Sequence, residues 1–182
     1  MNIVSTDFKG MFVLEPKVLG DARGYFMESF SKRTLSEAGI DLNFVQDNQS
    51  SSKKGVLRGL HFQNAPYAQT KLVRVLSGNI LDVAVDLRRE EPTFGSYFSV
   101  ELSAENKKQL LVPKGFAHGF VVLSEQAEVF YKCDEYYNPQ ADGGILCNDP
   151  AIGIDWRFKA EELTLSEKDK NHLTLDLAKF NF

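Results

Sequence analysis

From Phe44 onward the chain reads as short segments in which apolar and polar residues alternate with a period of two, separated by turn residues. NILDVAVDLR shows this most clearly. Leu81, Val83, Val85 and Leu87 fall on one face, and Ile80, Asp82, Ala84 and Asp86 on the other. In KLVRVL, Lys71, Val73 and Val75 share a face opposite Leu72, Arg74 and Leu76. FVQDNQSSS, GVLRGL, YFSVEL, QLLVP, HGFVVLS and AEVFYKCDEYY continue the pattern, with turns at Ser77-Gly78, Pro92–Gly95, Pro113–Gly115 and Asn138-Pro139. Nearer the start, an apolar run at Phe12–Leu14 closes at Pro16, and a turn at Asp21, Arg23 and Gly24 leads into a strand over Tyr25–Phe30. Helices are few: Ser31 caps one over KRTLSEAG that Gly39 ends, and a second begins at Ser166. About eight to ten short strands at this spacing predict an all-β sandwich or barrel. No repeat and no shift of composition divides residues 1–182, so one domain is expected.

One stretch breaks the pattern of solvated polar faces. GVLRGLHFQNAPYAQTKLVR, Gly55 to Arg74, places Arg58, His61, Lys71 and Arg74 among short apolar runs. Strict alternation sets Val56, Arg58 and Leu60 on one face and Leu57, Gly59 and His61 on the other. Any one of these cations is explained by a solvated face, but four together point to a lined pocket.

Composition narrows the options. The 182 residues, 43% hydrophobic and 25% charged, suffice for a sizeable core. A net charge of −4, with basic residues interspersed among acids, argues against nucleic-acid binding. No apolar run is long enough for a membrane helix, and the N-terminus lacks a secretory pattern. Cys133 and Cys147 have no metal-binding spacing and read as free thiols, so a soluble cytoplasmic protein is expected. There are three histidines, widely separated and without an H-x-H pair, and no glycine-rich dinucleotide fingerprint. Neither a catalytic metal nor a nicotinamide cofactor is therefore expected.

Several side chains admit two readings. His61 is a structural histidine or a base that titrates near neutral pH. Asp169 completes the capping box Ser166-Glu-Lys-Asp169, or orients an imidazole. Tyr131 shares a strand face with Val129 and Cys133, as a core tyrosine would. Lys71 is a solvated edge lysine, or a compact cation for an oxyanion. Tyr137 is a turn residue or a stacking platform.

Taken in order, GVLRGLHFQ (55–63), KLVR (71–74), DVAVDLR (82–88), PKGFAHGF (113–120), NDP (148–150) and LSEKD (165–169) closely resemble the dTDP-4-dehydrorhamnose 3,5-epimerase family, over about Gly10 to Asp169. The resemblance implies a cupin-like double-stranded β-helix, or jelly roll, with a few short helices. It also implies a homodimer with shared active sites and no metal or other cofactor. The implied reaction inverts C3 and C5 of dTDP-4-keto-6-deoxy-D-glucose, a step toward activated L-rhamnose for surface polysaccharides. Protons beside a ketone are acidic because their removal gives an enolate, so a base, an oxyanion donor and an acid on the opposite face are required.

By resemblance His61 is the base, Asp169 its orienting partner and Tyr131 the acid, and Lys71 suits the oxyanion. Arg58 and Arg23 suit the diphosphate, since a guanidinium grips phosphate oxygens in bidentate fashion. Arg23, Phe26 and Glu28 are expected to reach the neighbouring subunit's site. Gln46, Asn48 and His118 are expected to line the pocket, and Tyr137 to stack on thymine. Cys147 departs from the family, which often carries tryptophan there, and puts local packing in question. The alternatives are an epimerase acting at one centre of a related nucleotide sugar, and a non-enzymatic sugar-binding jelly roll.

Overall fold

A computed structural model describes residues 1–182. In chain order the elements are β1 (Asn2–Ser5), β2 (Phe12–Glu15), β3 (Val18–Asp21), β4 (Gly24–Met27), α1 (Lys32–Glu37), β5 (Gln46–Lys53), β6 (Leu57–Gln63) and β7 (Lys71–Ser77). There follow β8 (Asn79–Asp86), β9 (Tyr97–Ser103), β10 (Gln109–Val112), β11 (Phe116–Val122), β12 (Gln126–Cys133), β13 (Asp142–Gly144) and α2 (Glu167–Lys170). Two antiparallel sheets form the body, in the orders β1-β2-β10-β7-β12-β5 and β13-β6-β11-β8-β9. From β5 to β13 the chain passes from one sheet to the other at every step except the β8–β9 hairpin, as in a jelly roll, and the expected cupin-like architecture is realised. The strand predicted over Tyr25–Phe30 ends at Met27, in a separate β3–β4 hairpin.

The predicted face assignments account for the layers. Val73, Val75, Ile80, Ala84, Val122 and Val129 meet between the sheets in one cluster. Leu81, Val83, Val85 and Leu87 face the other way, into a cluster closed by Ile145, Cys147, Ile152 and Trp156 of the C-terminal segment. Cys147 is buried there, and its carbonyl accepts a hydrogen bond from Trp156 Nε1 at 2.8 Å. Leu35 of α1 covers Leu72 and Leu111 on the outside of the six-stranded sheet.

β6 departs from strict alternation, and the site depends on that. His118 pairs with His61 and Phe120 with Arg58, so Gly59 and Leu60 together oppose the single residue Gly119. This extra residue is a β-bulge, which re-aims the side chains on either side. Leu57, Leu60 and Phe62 all enter the outer cluster, while Arg58 and His61 both line the cavity between the sheets. The expectation that Arg58 and His61 lie on opposite faces is thereby corrected. Glycine is required on both strands. A Cβ on Gly59, at φ 133°, would stand 2.6 Å from Gly119 Cα, and one on Gly119 would stand 2.7 Å from the Arg58 carbonyl oxygen.

Candidate active site

A cavity of about 510 Å³ opens between the sheets, lined among others by Arg58, His61, Lys71, His118, Tyr131, Ser166, Lys168 and Asp169. β6 and β11 contribute His61 and His118 from one sheet, and β7 and β12 contribute Lys71 and Tyr131 from the facing one. Asp169 arrives from far along the chain. Thr164 is bonded to the start of β6 through its N–H to Gly55 O (2.9 Å) and through its carbonyl, which accepts from Leu57 N (3.0 Å). Two residues on, Ser166 caps α2 by accepting from the Asp169 backbone N–H at 3.1 Å. The cap therefore exists, and the carboxylate is free to point elsewhere. Its Oδ1 lies 2.6 Å from His61 Nε2.

The pair is asymmetric, with side-chain exposures of 34% for His61 and 4% for Asp169. The imidazole opens to the cavity; the carboxylate is nearly sealed behind it. Burial alone would push the Asp169 carboxyl up. Hydrogen bonds from His61, Ser166 and the Gly59 backbone outweigh that burial and hold it below the usual carboxylate range. An ionised Asp169 in turn fixes the ring orientation of His61.

Across the cavity, burial pushes the Tyr131 phenol above its ordinary value, so it carries its proton at neutral pH. Burial also lowers the Lys71 ammonium, against the opposing pull of Cys133, Asp82 and Asp142. Lys71 is thus no solvated edge residue. A desolvated ammonium is a strong hydrogen-bond donor to an oxygen that gains charge. Arg58 Nε donates to Ser52 Oγ at 3.0 Å, which anchors the guanidinium on the cavity wall.

Gln46 and Asn48 extend the same side of β5 and are joined by a 3.0 Å bond from Gln46 Nε2 to Asn48 Oδ1. Gln46 Oε1 also accepts from the Tyr137 backbone N–H at 3.0 Å. Buried Gln63 accepts from Asn138 N at 2.8 Å and donates to Tyr136 O at 3.1 Å. The loop bearing Tyr137 is therefore pinned from two strands, while the Tyr137 ring stays exposed. Arg23, Phe26 and Glu28 do not reach this cavity. Arg23 is at the tip of the β3–β4 hairpin with its side chain 90% exposed, held by Asp21, and Phe26 is 70% exposed.

Four residues in or around the cavity are not evident from the sequence. Asp82 Oδ1 lies 2.8 Å from His118 Nε2, both almost wholly buried. Its signal was a carboxylate on the apolar Ile80–Ala84 face, which demands a partner. Lys168 lines the cavity and pairs with Asp142, whose Oδ2 also accepts from Tyr137 Oη at 3.3 Å. Lys168 stands inside LSEKD, next to Asp169, where only the capping pattern had been read. His172 joins His61 and Asp169 in a group whose ligand atoms lie within 4.8 Å of one another. The premise that the three histidines are widely separated holds along the chain and fails in space for this pair. Burial, then the charge of His61, lowers the pKa of His172.

Comparison with known proteins gives a consistent result. The family model described as dTDP-4-dehydrorhamnose 3,5-epimerase matches residues 5–176. The dTDP-4-dehydrorhamnose 3,5-epimerase of Salmonella typhimurium is 54% identical over 179 residues, 98% of this chain and 97% of that protein. Among solved structures, the epimerase of Legionella pneumophila in complex with dTDP-4-keto-L-rhamnose superposes with a TM-score of 0.92 at 50% identity, covering 97% of this chain and 93% of that one. A 3′-monoepimerase from Streptomyces bikiniensis in complex with dTDP-quinovose superposes at 0.88 with 31% identity, covering 95% and 87%.

Proposed function

The chain belongs to the dTDP-4-dehydrorhamnose 3,5-epimerase family, and we infer from this that it inverts C3 and C5 of dTDP-4-keto-6-deoxy-D-glucose to give dTDP-4-keto-L-rhamnose. We propose that His61, its charge balanced by Asp169, removes a proton beside the C4 ketone. Lys71 then holds the enolate oxygen, and Tyr131 returns a proton to the opposite face. One observation carries this reading. His61 and Tyr131 rise from facing sheets of one cavity, so a sugar between them presents one face to the imidazole and the other to the phenol.

The remaining assignments follow the cavity outward. Arg58 and Arg23 take the diphosphate, Gln46, Asn48 and His118 orient the sugar, and Tyr137 carries the thymine. Arg23, Phe26 and Glu28 act on the partner's cavity in a homodimer. The exposed apolar residues of the β3–β4 hairpin, Leu19, Tyr25 and Phe26, support that arrangement. Two buried free cysteines suit a reducing, cytoplasmic setting, and no helix is long and apolar enough to cross a membrane.

The test is incubation of dTDP-4-keto-6-deoxyglucose with the enzyme in D2O, followed by NMR. Deuterium at both C3 and C5 with the L-rhamno configuration is the expected result. Label and inversion at one carbon would assign a single-centre epimerase, and no label would exclude enolate chemistry.

A further inference from the structure

Behind the base lies a donor set that the epimerase reaction does not use in full. His61 Nε2 and Asp169 Oδ1 are the first two members, and His172 Nε2 is the third. His172 meets His61 edge-on with ring centroids 5.7 Å apart, and its Nε2 stands 3.6 Å from Asp169 Oδ1. That nitrogen is buried and has no hydrogen-bond partner, an unusual state for a polar atom in a protein interior. The ring is also held firmly. It rests against Gly144, where a Cβ would come within 2.3 Å of the imidazole, and the next residue, Leu173, bridges to Ile145.

Two imidazoles and one carboxylate oxygen suit divalent transition cations rather than magnesium or calcium. Zinc bonds such atoms at about 2.0–2.2 Å, which puts two donors on one ion roughly 3–4 Å apart. The 3.6 Å separation of His172 and Asp169 already fits. The 2.6 Å separation of His61 and Asp169 is the width of a shared proton and must open slightly, which the partly exposed His61 can do.

We propose that His61 Nε2, Asp169 Oδ1 and His172 Nε2 form an inhibitory site for Zn²⁺, in which the cation takes the place of the proton between His61 and Asp169 and the neutral ring carries its one proton on Nδ1, the nitrogen that would otherwise accept the substrate's proton. The inhibition rests on His61 being the base; the binding does not. A Zn²⁺-loaded molecule would keep its nucleotide-sugar cavity and lose its chemistry, and a chelator would restore it.

Two measurements on the full-length protein test this. Binding is followed with Co²⁺, whose visible absorption reports tetrahedral nitrogen and oxygen ligation, and with Zn²⁺ by calorimetry. Turnover is followed in buffers of fixed free Zn²⁺. The expected result is reversible inhibition that tracks binding. In His172→Phe and His172→Asn, Zn²⁺ affinity should fall about tenfold or more while metal-free turnover persists, since losing a ligand costs no less than losing its outer-shell support. Absence of binding, or inhibition unchanged in both His172 variants, overturns the site. Binding that depends on His172 but leaves turnover intact overturns the inhibition, and with it the assignment of His61 as base.

Discussion

His61 and His118 stand directly opposite each other on neighbouring antiparallel strands, yet each turns its Nε2 to a different aspartate. The His61 side chain is 34% exposed and that of His118 only 7%. Two equal residues in one register are thus divided into an open pair and a sealed one.

That division predicts different losses. His61→Asn should lower turnover by about 10²–10⁴, the usual worth of a general base, and abolish deuterium exchange from D2O. His118→Asn strands the buried Asp82, one of whose oxygens already lacks a partner, and should cost about 1–3 kcal/mol in urea unfolding. Wild-type exchange in His61→Asn would remove it from the chemistry.

Tyr131→Phe separates the two halves of inversion. His61 can still take a proton and return a deuteron to the same face, so label should continue to enter the substrate. Inverted product should fall far more than exchange. Equal losses, read by NMR of one reaction mixture, would move Tyr131 to binding or to the enolate oxygen.

The Asp169 carboxyl is held below its unfolded pKa, chiefly by His61 once its burial is overcome. A group lowered in the folded state stabilises above its unfolded pKa, near 3.9, and loses that contribution as pH falls through the folded value. Asp169→Asn should therefore be less stable than the wild type at pH 7, with the gap closing below about pH 4. Urea midpoints measured from pH 7 to pH 2.5 check this; a gap independent of pH would assign the loss to packing.

How far the sequence reveals this site depends on the range of the interactions. Alternation sorted the side chains of β7, β8 and β12 onto their two faces because that period is local. The capping box was legible because its partners are three residues apart, and Ser166 does cap α2. Arg58 and His61 were read as opposed because a bulge depends on the partner strand, here Gly119, and leaves no period of its own. Asp82–His118 and His61–His172 are contacts across the fold, invisible to spacing. The proposed roles of Asp169, Tyr131 and the β3–β4 hairpin come from resemblance; the residues alone allowed a cap, a core tyrosine and a surface turn.

The crowding at the bulge yields its own prediction. Gly119→Ala drives a methyl group toward the Arg58 carbonyl and Gly59, and should cost about 1–3 kcal/mol of stability. Because Arg58 and His61 flank that bulge, turnover per folded molecule should fall as well. Full activity with lower stability would mean that the two side chains are aimed independently of Gly119.

Shared sites can be tested by complementation. On the proposed arrangement, Arg23→Ala and His61→Asn should each inactivate its own homodimer. In the mixed dimer, one site receives His61 from its own chain and Arg23 from the other. Refolding the two variants together in equal amounts should restore about a quarter of wild-type sites. Recovery no greater than the sum of the separate variants would confine Arg23 to its own subunit.

The separation of the dyad along the chain, 108 residues from His61 to Asp169, also orders events during synthesis. At typical elongation rates, roughly 5–20 s pass between the emergence of the imidazole and that of its carboxylate. Seven of the eleven strands of the two sheets are made in that interval, so the cavity walls can assemble on the ribosome around a histidine that still lacks its carboxylate partner. On the proposed roles, the site is completed only when the segment bonded through Thr164 docks beside β6, so a stretch made after the cavity walls is the one that brings in the carboxylate.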